Sequence, residues 1–502
     1  MKVLLVQPST FEPGRLGLEN SLWLSEPVAL TSLAAMVPEH EVRILDMRLE
    51  NDLELNWTLL EFRPDVVGTT SMTTDCYQAK AVLATAKGTL GPECVTLVGG
   101  HHSTLAPEAF EEDVVDALVL GEGEDTFREL IVHLAGGGSR YELHEIHGLR
   151  FRDDRGVYHT TPKRHQIRDL DTFPAPARHL IKPRYRSQYF FFIASPMASM
   201  FTSRGCSFDC NFCAIWEFYE RRTRFMSAKT ICDRLQAIPE RYVFLLDDNF
   251  LTSKKRIEEL CEEIEGRKIK KYLLTQGRTD FIAEHPDLMR RLRDAGLMMV
   301  LSGYETNNDD DALAAMRKKN TFDRNKRAAD ILRELGILST GIFMVRPEFE
   351  EKDFDLLFET INEMGIGLPL LTILTPLPGT ELYRKRAHEL LTKDVRLFDL
   401  LHSVLPTKLP RATFYAKLAQ YSRATWPAKQ KAFLTALKRR PALFLRSAPG
   451  IVRFRLKANK YRPVFESGES ALRDELGIIP ADVTAEAAPK RVPLPVFQRM
   501  GS

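Results

Sequence analysis

The chain has 502 residues, of which 44% are hydrophobic and 27% are charged, and its formal net charge is +2. This length suggests two to four domains. The composition is typical of a folded globular protein and excludes a collagen-like chain, a chain disordered throughout and a membrane-embedded bundle. No apolar run predicts a membrane-spanning helix, and the first residues lack the apolar core of a secretion signal. With seven cysteines, we expect a reducing, cytoplasmic environment and metal or redox chemistry before disulfides.

Residues 1–137 alternate short apolar runs with helical patterns, which predicts a first domain of α/β type. The runs that we interpret as buried parallel strands are 3–6, 42–45, 66–69, 95–98 and 117–120. The segments that predict connecting helices are 27–37, 75–89 and 124–134. Five such units indicate a doubly wound, Rossmann-like sheet, which binds ligands at the carboxyl ends of its strands.

Small and polar residues follow three strands of this predicted sheet. Glycines let a ligand approach the backbone closely, and hydroxyl groups offer hydrogen bonds without bulk. Because the carboxyl ends of parallel strands share one edge, the three loops are predicted to form one binding site. Its candidate residues are Ser71, Met72, Thr73, Gly99, Gly100, His101, Gly121, Glu122 and Gly123.

A second α/β series is predicted over residues 199–384, after a connector at 138–198 that contains a small strand pair at 148–152 and 157–161. The predicted strands are 200–202, 242–246, 272–274, 298–301, 339–345 and 370–374. Amphipathic helical patterns separate them at 228–238, 257–264, 286–295 and 325–335. Six repeats predict a partial (β/α)6 barrel with its chemistry at the carboxyl-end rim.

Three cysteines follow the first predicted barrel strand in a Cys-x3-Cys-x2-Cys pattern: Cys206, Cys210 and Cys213. Cysteine thiolates are the ligands of iron–sulfur clusters, and three of them leave one iron of a [4Fe–4S] cluster open to a further ligand. Structural zinc normally has four protein ligands, so zinc is an alternative if a histidine or a remote cysteine completes the set.

This cysteine pattern resembles that of the radical S-adenosylmethionine (SAM) superfamily. The resemblance implies that SAM binds the open iron and is cleaved by one-electron reduction to methionine and a 5′-deoxyadenosyl radical. It also implies that residues 375–380 form a closing motif near the sixth strand. The residues that it assigns to SAM are Phe212, Asp247, Asp248, Gln276, Arg278 and Glu305. An alternative for Asp247 and Asp248 is that they cap the next helix.

The three loops of the first domain resemble those of the cobalamin-binding domain that precedes the barrel in class B radical SAM enzymes. The motif Asp-x-His-x-x-Gly is absent, so the resemblance implies that neither His101 nor His102 coordinates cobalt. Over roughly residues 1–465 the order of motifs is similar to the hopanoid C-3 methylase branch. The resemblance therefore implies transfer of a methyl group from methylcobalamin to an unactivated carbon, C-3 of the hopanoid A ring, with no residue assigned as a catalytic acid or base.

Other functions share parts of this pattern. A tRNA methylthiotransferase needs a second cysteine triplet in the first domain, where only Cys76 and Cys94 occur. A cobalamin-dependent cyclase or rearrangement enzyme, or a methylase of another natural product, has the same two domains and stays an alternative. A corrinoid sensor without enzymatic activity leaves the cysteine triplet unexplained. For an enzyme of this kind the resemblance implies an electron donor such as flavodoxin or ferredoxin.

The carboxyl-terminal part of the chain is basic. Residues 400–465 hold fifteen Lys and Arg and no Asp or Glu, so this segment carries +15 and the rest −13. We expect a helical region over 385–465 and a flexible tail over 466–502. The apolar residues at helical spacing are Ala428, Ala432, Phe433, Ala436 and Leu437. With their basic neighbours they predict that 425–462 docks the barrel mouth on an anionic membrane, at the inner face of the cell membrane.

Two alternatives exist for this basic segment. It could be a solvated helical face, or it could bind nucleic acid, which also attracts such a charge. The segment contains no recognisable RNA-binding module, so no nucleic-acid partner is expected.

Overall fold

A computed structural model describes residues 1–9, 22–307 and 309–443, together with 445, 447–450 and 452. The predicted tail at 466–502 and the last part of the predicted membrane segment lie outside these residues.

The first domain is built on a seven-stranded sheet with strand order β3-β1-β4-β5-β6-β7-β8. The strands of this part are β1 (Lys2–Gln7), β2 (Trp23–Leu24), β3 (Glu41–Asp46), β4 (Val66–Thr70), β5 (Val95–Gly99), β6 (Ala117–Val119), β7 (Leu149–Arg152) and β8 (Tyr158–Thr160). The helices are α1 (Val28–Ala35), α2 (Asp52–Phe62), α3 (Cys76–Leu90), α4 (His101–Leu105) and α5 (Glu124–Ala135). All five predicted strands of this sheet form and are parallel to their neighbours.

Both faces of this sheet are covered. Val3 and Leu5 of β1 belong to one hydrophobic cluster, and Leu4 and Val6 belong to another. Because successive side chains of a strand point to opposite faces, a strand buried on both sides is a continuous apolar run. This explains why the parallel strands were predictable from short runs.

The strand pair predicted within the connector forms, but it belongs to the first sheet. β7 is antiparallel to β6, and β8 is antiparallel to β7. The sheet therefore continues beyond residue 137, where we placed the end of the first domain. The connector also contains α6 (Pro183–Arg186) and β9 (Phe190–Phe191), and β9 pairs with β2.

The second domain contains a six-stranded sheet in which all neighbouring strands are parallel and follow chain order. Its strands, with the short pair β11 and β12, are β10 (Met197–Met200), β11 (Ser203–Arg204), β12 (Arg224–Phe225), β13 (Tyr242–Leu245), β14 (Tyr272–Gln276), β15 (Leu297–Glu305), β16 (Leu338–Val345) and β17 (Leu368–Ile373). The order predicted for a partial barrel is confirmed. The first strand begins three residues earlier than predicted and ends at Met200, so residues 201 and 202 lie outside it.

The helices of the second domain are α7 (Ile215–Phe218), α8 (Ala228–Ala237), α9 (Lys254–Gly266), α10 (Thr279–Glu284), α11 (Pro286–Asp294), α12 (Asp310–Ala315), α13 (Phe322–Leu335), α14 (Glu351–Met364) and α15 (Glu381–Arg386). Of these, α7 lies within the loop between β11 and β12. Residues from α8, α9 and α11 pack with β13 in the largest hydrophobic cluster, including Leu235, Leu260, Leu292 and Val243.

Two helices follow in the basic region, α16 (Arg411–Ala424) and α17 (Trp426–Arg439). Residues 390–410 contain only one short 3-10 turn instead of the predicted α-helix. Pro406 and Pro410 lack the backbone N–H group that a helix interior needs. Among the described residues, no helix is both long enough and apolar enough to span a membrane.

The position of α17 corrects the predicted membrane face. Ala428 and Ala436 are buried, and a Cβ atom on Gly367 would lie 2.9 Å from the Cβ of Ala432. The Arg440 guanidinium donates to the carbonyl of Leu297, the first residue of β15. The alanines thus pack on the amino end of the barrel, opposite to the cysteine loop, so this helix does not border the barrel mouth.

Candidate functional site

The three candidate cluster cysteines lie on one loop, residues 205–223, whose two ends are joined by the pairing of β11 and β12. Gly205 begins the loop with φ +88°, and a Cβ atom there would lie 2.1 Å from the carbonyl oxygen of Arg222. Only glycine combines this left-handed backbone with so close an approach. The loop therefore closes tightly just before Cys206.

The cysteine loop is held against the segment that follows β15. The side-chain amide of Asn211 donates to the carbonyl of Ala315 (2.9 Å), and the Asn211 backbone N–H donates to the carbonyl of Met316 (3.2 Å). The indole N–H of Trp216 donates to the carbonyl of Cys210 (2.8 Å). These bonds fix the loop at the carboxyl end of the barrel, where the sequence predicted the chemistry.

Burial sets the environment of the three cysteine side chains. It raises the pKa of all three thiols, that of Cys213 to about 12. In the described part of the chain, no three His, Cys, Asp or Glu side chains, these cysteines included, converge closely enough to hold one metal ion. Iron–sulfur clusters bind the thiolate form, so ligation by these cysteines must displace their protons.

Asp247, which the resemblance assigned to SAM, is a structural residue in this fold. Its carboxylate is fully buried and accepts from the backbone N–H and hydroxyl groups of Thr202 and Ser203 and from the Arg256 guanidinium. Five donors occupy the acceptor positions of a carboxylate, which offers about four lone pairs. Asp247 therefore holds the end of β10 to the end of β13, and no lone pair is left for SAM.

The neighbouring Asp248 has a different environment. One of its oxygens accepts from the Gly205 backbone N–H (2.8 Å), directly before Cys206, and burial raises its pKa to about 6. Asn249, which we did not assign, has both amide atoms buried without a hydrogen-bond partner. These two residues are the polar groups of this strand end that could contact a ligand. The position of Asn249 directly after the aspartates was the available signal.

Arg278 and Glu305 are engaged by protein groups. Arg278 forms an ion pair with Asp280 (2.6 Å), donates to the carbonyl of Lys318 (2.6 Å) and lies 3.6 Å from the ring centre of Phe208 in the cysteine loop. Glu305 forms a buried ion pair with Lys318 (2.5 Å). Burial alone would lower the pKa of Lys318, but Glu305 raises it above its ordinary value. Sequence reasoning missed Lys318, for which no local signal existed.

The remaining SAM candidates lie at the same end of the barrel. Gln276 is the last residue of β14, and its carbonyl accepts from the Phe250 backbone N–H (3.0 Å). Phe212 packs against a cluster that includes Met344 and Leu374, at the ends of β16 and β17. The structure thus brings Phe212, Asp248, Gln276, Arg278 and Glu305 to the rim that carries the cysteine loop.

In the first domain, the loops after β4 and β5 lie against each other. Gly100 has φ +107°, and a Cβ atom there would lie 2.6 Å from the carbonyl oxygen of Ser71. Ser71 is fully buried and donates to Asp75 (3.0 Å), whereas Met72 is exposed. A Cβ atom on Gly121 would meet nothing within 4 Å. The loops after β4 and β5 therefore pack on each other, and the loop after β6 has open space at Gly121, where a ligand can approach the backbone.

Two histidines at this edge are neutral. Burial lowers the pKa of both His101 and His102 to about 4. Nδ1 of His102 lies 3.4 Å from the hydroxyl oxygen of Thr73, and Nε2 of each ring is buried without a hydrogen-bond partner. Unpartnered buried nitrogens are rare in folded proteins and indicate groups that a ligand can satisfy. These features fit a bound cobalamin.

Glu122 differs from its prediction as a cobalamin residue. Its carboxylate accepts from Arg204 (2.9 Å) and from both terminal nitrogens of Arg224 (2.7 and 2.9 Å). Although burial opposes ionisation, the charges and hydrogen bonds of these arginines hold the pKa of Glu122 below its ordinary value. Gly123, beside it, packs closely on Val119. The Glu122 side chain is therefore engaged by the barrel domain.

Comparisons with known proteins agree with this arrangement. Residues 200–361 match the radical SAM superfamily, and residues 17–131 match the B12 binding domain. The chain is 30% identical to the hopanoid C-3 methylase of Methylococcus capsulatus over 426 residues, which covers 84% of this chain and 79% of that protein. It is 26% identical to an anaerobic magnesium-protoporphyrin IX monomethyl ester cyclase of Rubrivivax gelatinosus, over 72% of this chain and 66% of that protein.

Among solved structures, the cobalamin-dependent S-adenosylmethionine radical enzyme OxsB, with aqua-cobalamin and S-adenosylmethionine bound, is similar in fold. It has a TM-score of 0.66 at 15% identity, over 95% of this chain and 81% of that chain. The predicted fold class is thereby confirmed, as is an enzyme that uses a [4Fe–4S] cluster, SAM and cobalamin. With two matching domains in this order and a 30% identical relative over most of its length, the chain belongs to the family of cobalamin-dependent radical SAM methyltransferases.

Proposed function

We propose that this enzyme methylates an unactivated carbon of a hopanoid, C-3 of the A ring. The observation that carries this proposal is the 30% identity to a hopanoid C-3 methylase over 84% of this chain. The methyltransferase class follows from the family of the chain, and the hopanoid substrate is proposed from this relative.

In this proposal the site residues have distinct tasks. Cys206, Cys210 and Cys213 hold the cluster, on a loop that Asn211 and Trp216 keep at the barrel rim. Their thiols must lose protons when they bind iron, and the high thiol pKa values mean that assembly of the cluster releases protons.

The SAM residues follow the same rim. Asp248 and Asn249 offer polar groups that the protein leaves available, and Phe212 offers an apolar surface for the adenine. Gln276, Arg278 and Glu305 are proposed to complete the SAM site. Asp280 holds Arg278 in place, and Lys318 holds Glu305. Of the residues assigned to SAM from the sequence, we leave out only Asp247.

Cobalamin is proposed to lie on the loops after β4, β5 and β6 of the first domain. Ser71, Met72 and Thr73 supply one side, and the backbone at Gly121 is open to a ligand. Gly99, Gly100 and Gly123 face protein atoms and let the loops pack closely beside it. His101 and His102 are not expected to coordinate cobalt. Electron paramagnetic resonance of the protein loaded with cob(II)alamin should then lack nitrogen superhyperfine splitting, and a clear splitting would contradict this.

When bound, the cluster and SAM supply the means to remove a hydrogen atom from the substrate, and cobalamin supplies the methyl group. The chain orients these groups and excludes water, so no acid–base pair is needed among its side chains. In this proposal the buried ion pairs at the rim position the strand ends, and each charge in them is neutralised by its partner.

The test is an anaerobic assay of the reconstituted enzyme with a detergent-dispersed hopanoid, a chemical reductant and SAM carrying a labelled methyl group. We expect 5′-deoxyadenosine and a hopanoid that carries the label at C-3. Cys210→Ala should form neither, whereas Cys261→Ala, in α9, should form both. A deletion strain should lack the methylated hopanoid. If 5′-deoxyadenosine forms and a range of hopanoids stays unlabelled, the substrate proposal is wrong while the enzyme class stands.

One observation favours a second candidate. The match to the anaerobic cyclase of Rubrivivax gelatinosus covers 72% of this chain, so a cobalamin-dependent cyclisation of a tetrapyrrole is the alternative. Incubation with magnesium-protoporphyrin IX monomethyl ester separates the two. A cyclase would convert this compound without incorporating the labelled methyl group.

We also propose peripheral association with an anionic membrane, through the side of α17 that keeps Phe433 and Leu437 of the predicted face and leaves out its buried alanines. Trp426, Leu434 and Leu437 are exposed on this helix, with exposed Lys431 and Lys438 beside them. This is the composition of an interfacial helix. Because α17 lies at the amino end of the barrel, such contact leaves the mouth turned away from the membrane.

Liposome co-sedimentation tests this contact. Binding should rise with the fraction of anionic lipid, fall with salt, and decrease when Leu434 and Leu437 are both replaced by Glu. Equal binding of the double variant would contradict it.

The proposed electron donor is flavodoxin or ferredoxin. The proposed domain boundaries are at residues 137, 198, 384 and 465.

A further inference from the structure

The two ends of the cysteine loop are joined by β11 (Ser203–Arg204) and β12 (Arg224–Phe225), a strand pair that we call the neck. In the neck, two positively charged side chains face each other. β11 and β12 pair only over Ser203 with Phe225 and Arg204 with Arg224. Like charges directly opposite in an antiparallel pair destabilise it. The two strands that close the loop therefore need negative charge nearby, and they contribute none themselves.

The first domain supplies that charge. Glu122, in the loop after β6, accepts from Arg204 and Arg224 together, and Glu124, at the start of α5, accepts from Arg204. The exposed fractions of the four side chains are only 13% for Arg204, 9% for Arg224, 7% for Glu122 and 8% for Glu124. Because these four side chains are buried, the loss of one carboxylate leaves a buried arginine without a counter-charge, which strongly destabilises the folded chain.

The connector joins the same cluster. The Ile167 backbone N–H donates to Glu122 (3.3 Å), and its carbonyl accepts from Arg224 (2.6 Å). A second contact lies farther along the cysteine loop, where the His101 ring meets the Phe218 ring edge-on with 4.4 Å between centroids. Two loops of the first domain, those after β5 and β6, thus contact the loop that carries the cysteines.

We propose that Glu122 is a positioning residue that couples the cobalamin loops of the first domain to the cysteine loop, so that filling either site tightens binding at the other. The inference rests on the proposed function, since it takes these loops as the cobalamin site and the cysteines as the cluster site. Coupling between two binding sites is reciprocal. Cobalamin that orders the loop after β6 would also order the neck through Glu122. A cluster that orders the neck would in turn order the loop after β6 and so tighten cobalamin binding.

The first experiment measures the dissociation constant of hydroxocobalamin by absorbance titration of the full chain, with and without a reconstituted cluster. In the wild-type protein we expect the cluster to tighten binding about tenfold, in the usual range of coupling between sites. Glu122→Gln keeps the shape of the side chain and removes its charge, and should reduce this ratio to below about twofold, with binding to the cluster-free protein nearly unchanged.

Glu129→Gln is the matched control. Glu129 lies on α5 near Glu122 and pairs with Arg164 (3.0 Å) at a half-exposed position, without contacting the cysteine loop. It should keep the wild-type ratio. If Glu122→Gln fails to fold, as judged by circular dichroism, Arg224→Gln removes the other half of the bridge and should lower the ratio in the same way.

A second readout needs no cluster and no turnover. In cluster-free wild-type protein, hydroxocobalamin should slow the alkylation of Cys206, Cys210 and Cys213 by iodoacetamide several-fold, as followed by peptide mass spectrometry. In Glu122→Gln this protection should disappear, and Cys232 and Cys261, buried in helices, serve as internal references.

Several outcomes overturn the proposal. If Glu122→Gln weakens hydroxocobalamin binding equally with and without the cluster, Glu122 is a direct cobalamin ligand and not a coupling residue. An unchanged ratio and unchanged protection in Glu122→Gln also refute the coupling, while cobalamin binding and cluster formation by the wild type leave the proposed function intact. A wild-type chain that binds no cobalamin or assembles no cluster refutes both.

Discussion

The two ends of the six-stranded barrel are closed by different means. At the amino end, Ala432 of α17 packs on Gly367, where a Cβ atom would lie 2.9 Å from the Cβ of Ala432. At the carboxyl end, buried ion pairs such as Lys318 with Glu305 hold the strand ends. The difference teaches that one end depends on close packing, so that changes there alter stability, whereas the other depends on fixed charges around a ligand site.

The largest effect is expected at the carboxyl end, from the cysteines. Replacement of Cys206, Cys210 and Cys213 by alanine should abolish the iron–sulfur absorption and the cleavage of SAM, because no other cysteine replaces them at the rim. Iron content and 5′-deoxyadenosine formation are the measurements. The matched control replaces Cys232 and Cys261, which are buried in the helices of the barrel, and should retain both signals. Full cluster content in the triple variant would refute the assignment.

Two adjacent carboxylates separate structure from ligand binding at the same end. Asp247→Asn places an amide among five donors and should lower the free energy of unfolding by about 3–5 kcal/mol. Asp248→Asn should change that free energy by less than about 1 kcal/mol, because burial, which raises the pKa of Asp248 to about 6, makes its charged form unfavourable in the folded chain. It should weaken SAM binding about tenfold. Urea unfolding and equilibrium dialysis measure the two quantities. The reverse pattern would show that the roles are exchanged.

At the amino end, Gly367→Ala should force α17 away from the barrel and lower the free energy of unfolding by about 1–3 kcal/mol, with SAM cleavage unchanged. Ala432→Gly in the same chain should recover part of that loss, because it removes the opposing methyl group. The control is Gly266→Ala at the end of α9, where a Cβ atom would meet nothing within 4 Å. A loss of SAM cleavage without a loss of stability would refute the division between the two ends.

The charge of Lys429, in α17 at the amino end, is expected to affect the stability of the folded chain. Burial lowers the pKa of Lys429 to about 8, and its ammonium group lies 4.8 Å from the ring centre of Tyr421. Between pH 8 and about 10.5 the unfolded chain binds a proton that the folded chain does not, so the free energy of unfolding should rise with pH there, by about 1–2 kcal/mol. Lys429→Met should remove this slope. An equal slope in the variant would assign it to another group.

The strands and the cysteine site could be predicted because their signals are local. Apolar runs such as 3–6 and 95–98 are buried on both faces wherever they pair, so the run itself carries the information. Cys206, Cys210 and Cys213 lie within a single loop, so their spacing in the sequence was enough to predict the site. The first barrel strand was misplaced, because Thr202, predicted as its last residue, donates to Asp247 instead of pairing in the sheet.

The roles of Asp247 and Glu122 could not be predicted, because they depend on donors far away in sequence. Glu122 is satisfied by Arg224, about a hundred positions later. The face of α17 was ambiguous for another reason: the helix has two apolar sides, one of alanines and one with Trp426 and Leu434. Only the alanines are small enough to approach Gly367, a fact that appears once the barrel is assembled.

The first domain contacts the barrel near both of its chain ends. Glu122 binds the neck that follows the first strand, and Leu105 of α4 lies so close to Gly379, after the last strand, that a Cβ atom on that glycine would be 2.8 Å away. For protein engineers this means that the two domains are not interchangeable modules. A barrel from a relative that is joined to this first domain needs an arginine at the neck and a glycine at position 379. Without them, it needs its own first domain.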